Sequence, residues 1–220
     1  MKYNYIGAEP EQKWGNNKGV LSTSDIVDLK KEDKISDHYG LEFIEKKTFA
    51  SNTLDFSVPD DYAQHLVIFK NVLFTGGIRY MNCRYKQVNE TAFEDSNLYK
   101  YAHIQLHEGS TTGVTEDDTT GTNYHRFGVS TASAATNGWH SKVWFSDMVR
   151  TDRPTSFHAE SISYYSSGAK CMVSMGGGLF DDRRKITEIR FEPFGTATSG
   201  DVIMYGLKAP RITENSLEGV

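Results

Sequence analysis

From about Lys46 onward, apolar residues recur at every second position, the period of a half-buried strand. Leu54, Phe56 and Val58 alternate in this way before a Pro59-Asp60-Asp61 turn. Two short apolar runs follow, His65-Leu66-Val67-Ile68-Phe69 and Val72-Leu73-Phe74, both rich in strand-forming residues. Ala102, Ile104 and Leu106 alternate against Tyr101, His103, Gln105 and His107, and Val143 and Phe145 follow Trp139 with Trp144 on the opposite face. Ile162 with Tyr164, Met172 with Val173, Ile186 with Ile189 and Phe191, and Val202 with Ile203 and Tyr205 supply further strands. Stretches rich in Gly, Ser, Thr, Asn and Asp at 109–121, 132–138, 166–168, 176–182 and 195–201 read as turns. Eight to ten short strands punctuated in this manner predict an antiparallel sheet fold, a jelly-roll-like β-sandwich over residues 46–209, with 210–220 as a C-terminal tail.

Residues 1–45 follow a different pattern. A polar, turn-rich stretch with an isolated Trp14 precedes a segment over 22–32 that has the signals of a short helix. Ser22 or Ser24 can cap it, Asp25 and Asp28 lie early, and Lys30 and Lys31 follow, in accord with the helix dipole. Ile26, Val27 and Leu29 are its whole apolar face, too small for a core, so the helix must dock on something else. An extended arm of this length reaches about 150 Å. Trp14, Ile26, Val27 and Leu29 are therefore the candidate anchoring residues, against this chain's own domain or another chain.

Composition narrows the classes. Only 38% of residues are hydrophobic, yet 12 Phe, 12 Tyr and 3 Trp among the 220 argue for a folded chain, because disorder is aromatic-poor. The net charge of −5, with no basic run, speaks against binding a nucleic-acid backbone. No apolar stretch approaches the roughly 18 residues of a membrane-crossing helix, and the first residues lack the apolar core of a secretory signal. Cys83 and Cys171 are far apart and read as buried free thiols, as expected after synthesis in a cytosol.

Candidate chemistry is sparse. His103 and His107 have the i, i+4 spacing of zinc ligands on a helix, but they fall in a strand pattern. There they stand about 13 Å apart and face solvent or a neighbouring strand, so neither a metal nor a cofactor is expected. Glu116-Asp117-Asp118 lie in a polar loop that could hold calcium, although the spacing is not that of an EF-hand. No G-x-S-x-G elbow is present, and Gly176-Gly177-Gly178 lacks the spacing of a dinucleotide loop, reading as a glycine run that closes a strand. No enzyme signature survives. Tyr124, Trp139, Trp144 and Tyr165 are aromatics able to stack on sugars, and Tyr124, Asn137 and Trp139 form the candidate glycan contact.

The C-terminal half carries an order of motifs that resembles a known group. Thr122-Asn123-Tyr124-His125-Arg126-Phe127, a Ser/Ala/Thr-rich loop and strands near Asp147-Met148 and Tyr164-Tyr165 come first. Gly176-Gly177-Gly178, Ile186-Thr187-Glu188-Ile189-Arg190-Phe191 and a closing Val202-Ile203-Met204-Tyr205-Gly206-Leu207-Lys208 follow. With the upstream Tyr62-Ala63-Gln64-His65-Leu66-Val67-Ile68 and Trp14-Gly15-Asn16-Asn17-Lys18-Gly19-Val20, this order resembles a β-sandwich module of tailed-bacteriophage virion structural proteins. The resemblance implies a non-enzymatic protein of tail-fibre, receptor-binding or capsid-decorating type, assembled in the host cytoplasm and resident in the virion. It implies other virion proteins as partners, a homo-oligomer, by analogy a trimer, and contact with host surface glycan. A carbohydrate-binding module is the second expectation, and a polysaccharide depolymerase fragment the third.

Overall fold

A computed structural model describes residues 40–50, 52–75, 79–108, 114–130, 138–165 and 170–208. Trp14, Ile26, Val27, Leu29, the expected helix, Asn137 and the tail 210–220 lie outside the described residues. The sandwich unit begins at Gly40, so its first strand lies partly in the segment assigned above to the arm.

Twelve strands are described: β1 (Leu41–Thr48), β2 (Leu54–Ser57), β3 (Gln64–Thr75), β4 (Arg79–Gln87), β5 (Tyr99–His107) and β6 (Val114–Thr122) form the first half. β7 (His125–Ser130), β8 (Trp139–Ser146), β9 (Thr155–Tyr165), β10 (Lys170–Phe180), β11 (Ile186–Pro193) and β12 (Thr196–Leu207) complete it. Every pairing is antiparallel. One sheet has eight strands in the order β1-β12-β3-β8-β9-β10-β5-β6, and the other has four in the order β2-β11-β4-β7. Set aside β5, β6, β9 and β10, and the remainder is β1-β12-β3-β8 over β2-β11-β4-β7, the connectivity of a jelly roll. The four other strands are inserted hairpins that widen the first sheet to twice the width of the second.

The period-two pattern fills the space between the sheets. On β8, Trp139, Ser141, Val143 and Phe145 point inward and are buried. Phe56, Phe69, Phe74, Phe127, Phe191 and Tyr85, each at most 1% exposed, meet them from the other strands. Ring pairs are tight, with Phe69 and Phe191 edge to face at 5.0 Å and Tyr99 and Phe180 at 4.7 Å. The aromatic surplus in the composition is therefore spent on the core. Each such ring contributes roughly 1.5–3 kcal/mol through burial.

Several turn expectations are corrected. Residues 114–122 form edge strand β6, with Ala102 opposite Asp117 and His103 opposite Glu116, because backbone pairing with β5 overrides the polar composition. The calcium-loop reading of Glu116-Asp117-Asp118 loses its loop. Gly176, Gly177 and Gly178 lie inside β10 rather than closing it. A Cβ at Gly176 would come within 2.4 Å of the Ala102 carbonyl oxygen, and one at Gly178 within 2.2 Å of that of Lys100. The glycines thus let β5 approach β10. Residues 196–201 likewise belong to β12, which absorbs its irregularity as bulges opposite β3.

Candidate functional site

The two sheets turn very different outer faces away from the core. On the four-stranded sheet that face is charged and paired. Arg190 makes two 2.7 Å bonds to the Asp55 carboxylate and stacks over Phe93 at 4.0 Å. Lys86 meets Glu188 at 2.7 Å and Arg84 meets Glu192 at 3.2 Å. At one end the Arg126 guanidinium lies over Tyr80 at 4.6 Å, over Tyr124 at 5.1 Å and over Phe194 at 5.8 Å. Its Nη2 donates to the Tyr124 hydroxyl at 2.6 Å.

That arrangement bears on the sequence-based glycan contact. Tyr124 is half-buried, and one part of its ring is engaged by Arg126. Trp139 is 1% exposed and sealed among Phe69, Phe74 and Phe127, so its indole has no free face for a sugar. The reason is its register: Trp139 starts the inward row of β8, opposite Val72. Gly128, at φ +64°, makes room for it, since a Cβ there would fall 2.3 Å from the indole. Trp144 has the outer face, as the alternation predicted.

The histidine reading also changes. His103 is buried, stacked on Tyr101 at 6.0 Å, with its Nε2 3.1 Å from Gln105 Nε2. On β5 the polar residues point inward and Ile104 and Leu106 point outward, the reverse of what hydrophobicity alone dictates. Beside them the inward positions of β9 and β10 include Ser161, Ser163 and Ser174 together with Met172, and the Ser161 and Ser174 hydroxyls are 2.5 Å apart. The inserted hairpins thus have a buried polar lining whose members bond one another. Cys83 is buried, which pushes its thiol well up, whereas Cys171 is exposed, correcting the expectation that both are buried. Among the described residues, no three His, Cys, Asp or Glu side chains gather as a metal site would require, and no helix is long and apolar enough to cross a membrane.

The outer face of the eight-stranded sheet is the unusual surface. Six of the eight large hydrophobic side chains exposed among the described residues lie on it: Leu41, Phe43, Leu106, Ile162, Met175 and Leu179, between 44% and 62% exposed. Register spreads them over four rows across the strands, Leu41 with Leu179, Phe43, Met175, and Ile162 with Leu106. Phe43, Tyr205, Leu66, Trp144 and His158 make one row, and Ile203, Ile68, Lys142, Glu160, Met175 and Ile104 the next. In the middle, Lys142 and Glu160 pair at 2.8 Å, and the ammonium holds the carboxyl below the usual carboxylate range. A hollow of about 400 Å³ lies beside them, lined in part by Lys70, His140, Ile162 and Val173. A bulge in β3 shapes it: Asn71 takes φ 53°, and its amide donates to His140 Nδ1 at 3.3 Å. Sequence reasoning missed this face because apolar alternation on β5, β9 and β10 was assigned to the core. The one available signal was the presence of two chemically distinct faces on β5, both capable of burial.

No family model, no curated protein and no solved structure matches the chain.

Proposed function

We propose that this chain is a non-enzymatic structural protein of a bacteriophage particle, an exposed appendage held by residues 1–45 and by the outer face of its eight-stranded sheet. One observation carries the assembly part of this reading: the concentration of Leu106, Ile162, Met175, Leu179, Leu41 and Phe43 on one sheet face. Exposed apolar side chains gathered on one face mark a site of association, and Leu106, Ile162, Met175 and Leu179 lie together on the neighbouring strands β9, β10 and β5. The face differs from the usual apolar interface centre in carrying the Lys142–Glu160 pair in its middle, with Ile162 and Met175 beside it. The motif order from Tyr62 to Lys208 supports the virion part.

The experiment is particle incorporation of the full chain carrying Ile162→Lys and Met175→Lys together. Both side chains are about half exposed, so the protein folds and melts within a few degrees of the wild type, as surface substitutions do. Incorporation is expected to fall at least tenfold. Normal incorporation of the charged variant would overturn the reading.

A further inference from the structure

We infer that the occupant of this sheet face is a second copy of the same chain, packed face to face about a two-fold axis that runs parallel to the strands along the seam between β8 and β9. The inference rests on the assembly reading above and names its partner.

The seam is the middle of the sheet, with β1, β12, β3 and β8 on one side and β9, β10, β5 and β6 on the other. The first four strands belong to the jelly roll and the other four are the inserted hairpins. A two-fold axis along the seam keeps each row at its own level and exchanges left for right. It therefore sets β8 against β9 of the second copy, β3 against its β10, and β12 against its β5.

Charge and apolar character both match at the centre of the face under that exchange. Charge matches first: Lys142 on β8 is paired across the seam with Glu160 on β9, so each lysine faces Glu160 of the second copy and each glutamate faces its Lys142. Four charges then alternate about the axis, and no like pair is opposed. In the neighbouring row Tyr205, on the jelly-roll side, lies over Ala102 of the second copy, a ring over a methyl group. Apolar character matches in the row of that ion pair, where Ile68 faces Met175 and Ile203 faces Ile104, while in the end rows Ile162 faces His140 and Leu179 faces Gln64.

Size agrees with this. Eight strands at about 4.8 Å and four outward rows at about 6.8 Å cover a footprint of roughly 35 by 25 Å. That is close to the roughly 800 Å² that each partner contributes to a specific interface. Sheets stacked in this manner pack about 10 Å apart with strands within about 30° of one another, compatible with an axis along the strands. A two-fold pair also differs from the three-fold assembly that the phage resemblance implies.

Sedimentation velocity of the full-length chain tests the pairing. The expected species has twice the 24.8 kDa chain mass. Lys142→Glu or Glu160→Lys alone opposes like charges on the axis and weakens association at least tenfold. The double exchange, Lys142→Glu with Glu160→Lys, rebuilds the alternating set and restores the pair, which an unrelated partner would not produce, and unchanged circular dichroism of the single variants separates lost association from lost folding. A wild-type monomer or trimer, or a double variant no better than the single ones, would overturn the inference. A monomer whose apolar-face variants still lose particle incorporation removes the pairing and leaves the assembly reading standing. Normal incorporation of those variants removes the assembly reading itself.

Discussion

His65 and His125 are both fully buried, and burial pushes their imidazoles from 6.5 down to about 4 and about 3. The Pro59 and Leu179 carbonyls oppose these shifts only in part. His125 shares a 2.9 Å hydrogen bond with the Tyr85 hydroxyl and packs on Phe157 at 4.6 Å, surroundings that cannot solvate an imidazolium. In the unfolded chain both rings take up protons below about pH 6.5, whereas the folded chain keeps them neutral. Protons therefore favour unfolding. The stabilisation is complete above pH 6.5 and is lost as pH falls toward the folded values, on the order of 3 kcal/mol for His65 alone by pH 4. Burial pushes the Asp182 carboxyl up, but bonds from Arg184 and Gln87 outweigh it and hold the group at about 2, so that carboxylate adds its loss at lower pH. The melting temperature should drop steadily between pH 6.5 and 4.5, and a flat profile across that window would contradict this account. Neither buried ring was legible in the sequence. His65 begins an apolar run and His125 lies between two polar residues, and only the register of β3 and β7 places both inward.

Among the elements, strands were more legible than their limits. The alternation on β2, β3, β8 and β11 corresponds to buried rows at Phe56, Val67, Phe145 and Phe191. β1 escaped notice because a bulge between Phe43 and Glu45 breaks its period, leaving two adjacent apolar residues, Phe43 and Ile44. β6 and the glycine run of β10 escaped for the opposite reason. Their composition says turn, while the neighbouring strand supplies pairing that local propensity does not report. The glycine run has a consequence for stability. A Cβ at Gly178 would meet the Lys100 carbonyl oxygen at 2.2 Å and the Phe157 ring at 2.5 Å, neither of which can yield without moving a strand. Gly178→Ala should therefore destabilise by about 1–3 kcal/mol or more in urea unfolding. Gly40→Ala, with nothing within 4 Å of the added carbon, should be neutral. Equal midpoints for the two variants would show that β5 and β10 are not packed as described.

For the molecule as a whole, the jelly-roll-like sandwich was legible and the unequal width of its two sheets was not. Alternation and turn spacing announce a sandwich, but nothing in a single chain says that β5, β6, β9 and β10 extend one sheet to twice the width of the other. That asymmetry decides the function proposed here. The narrow sheet's outer face consumes its charges in Asp55–Arg190 and Lys86–Glu188 pairs, and the wide sheet's outer face exposes six large hydrophobic side chains as well as the Lys142–Glu160 pair. Of the residues nominated from sequence, Trp139 became core, Tyr124 became part of the Arg126 cluster, and the anchoring set lies outside the described residues. The candidate surface came instead from residues first counted as core, Leu106 and Ile162 among them. If that face is covered in the working assembly, its side chains are shielded there. Hydroxyl-radical footprinting of intact particles against the isolated, dilute chain measures this directly at Phe43, Leu106, Ile162 and Met175, with Phe194, 51% exposed and off this face, as the internal reference. The account predicts labelling of all five residues in the dilute chain and, in the particle, severalfold protection of the four face residues relative to Phe194. Equal labelling of the four face residues in both states would contradict it.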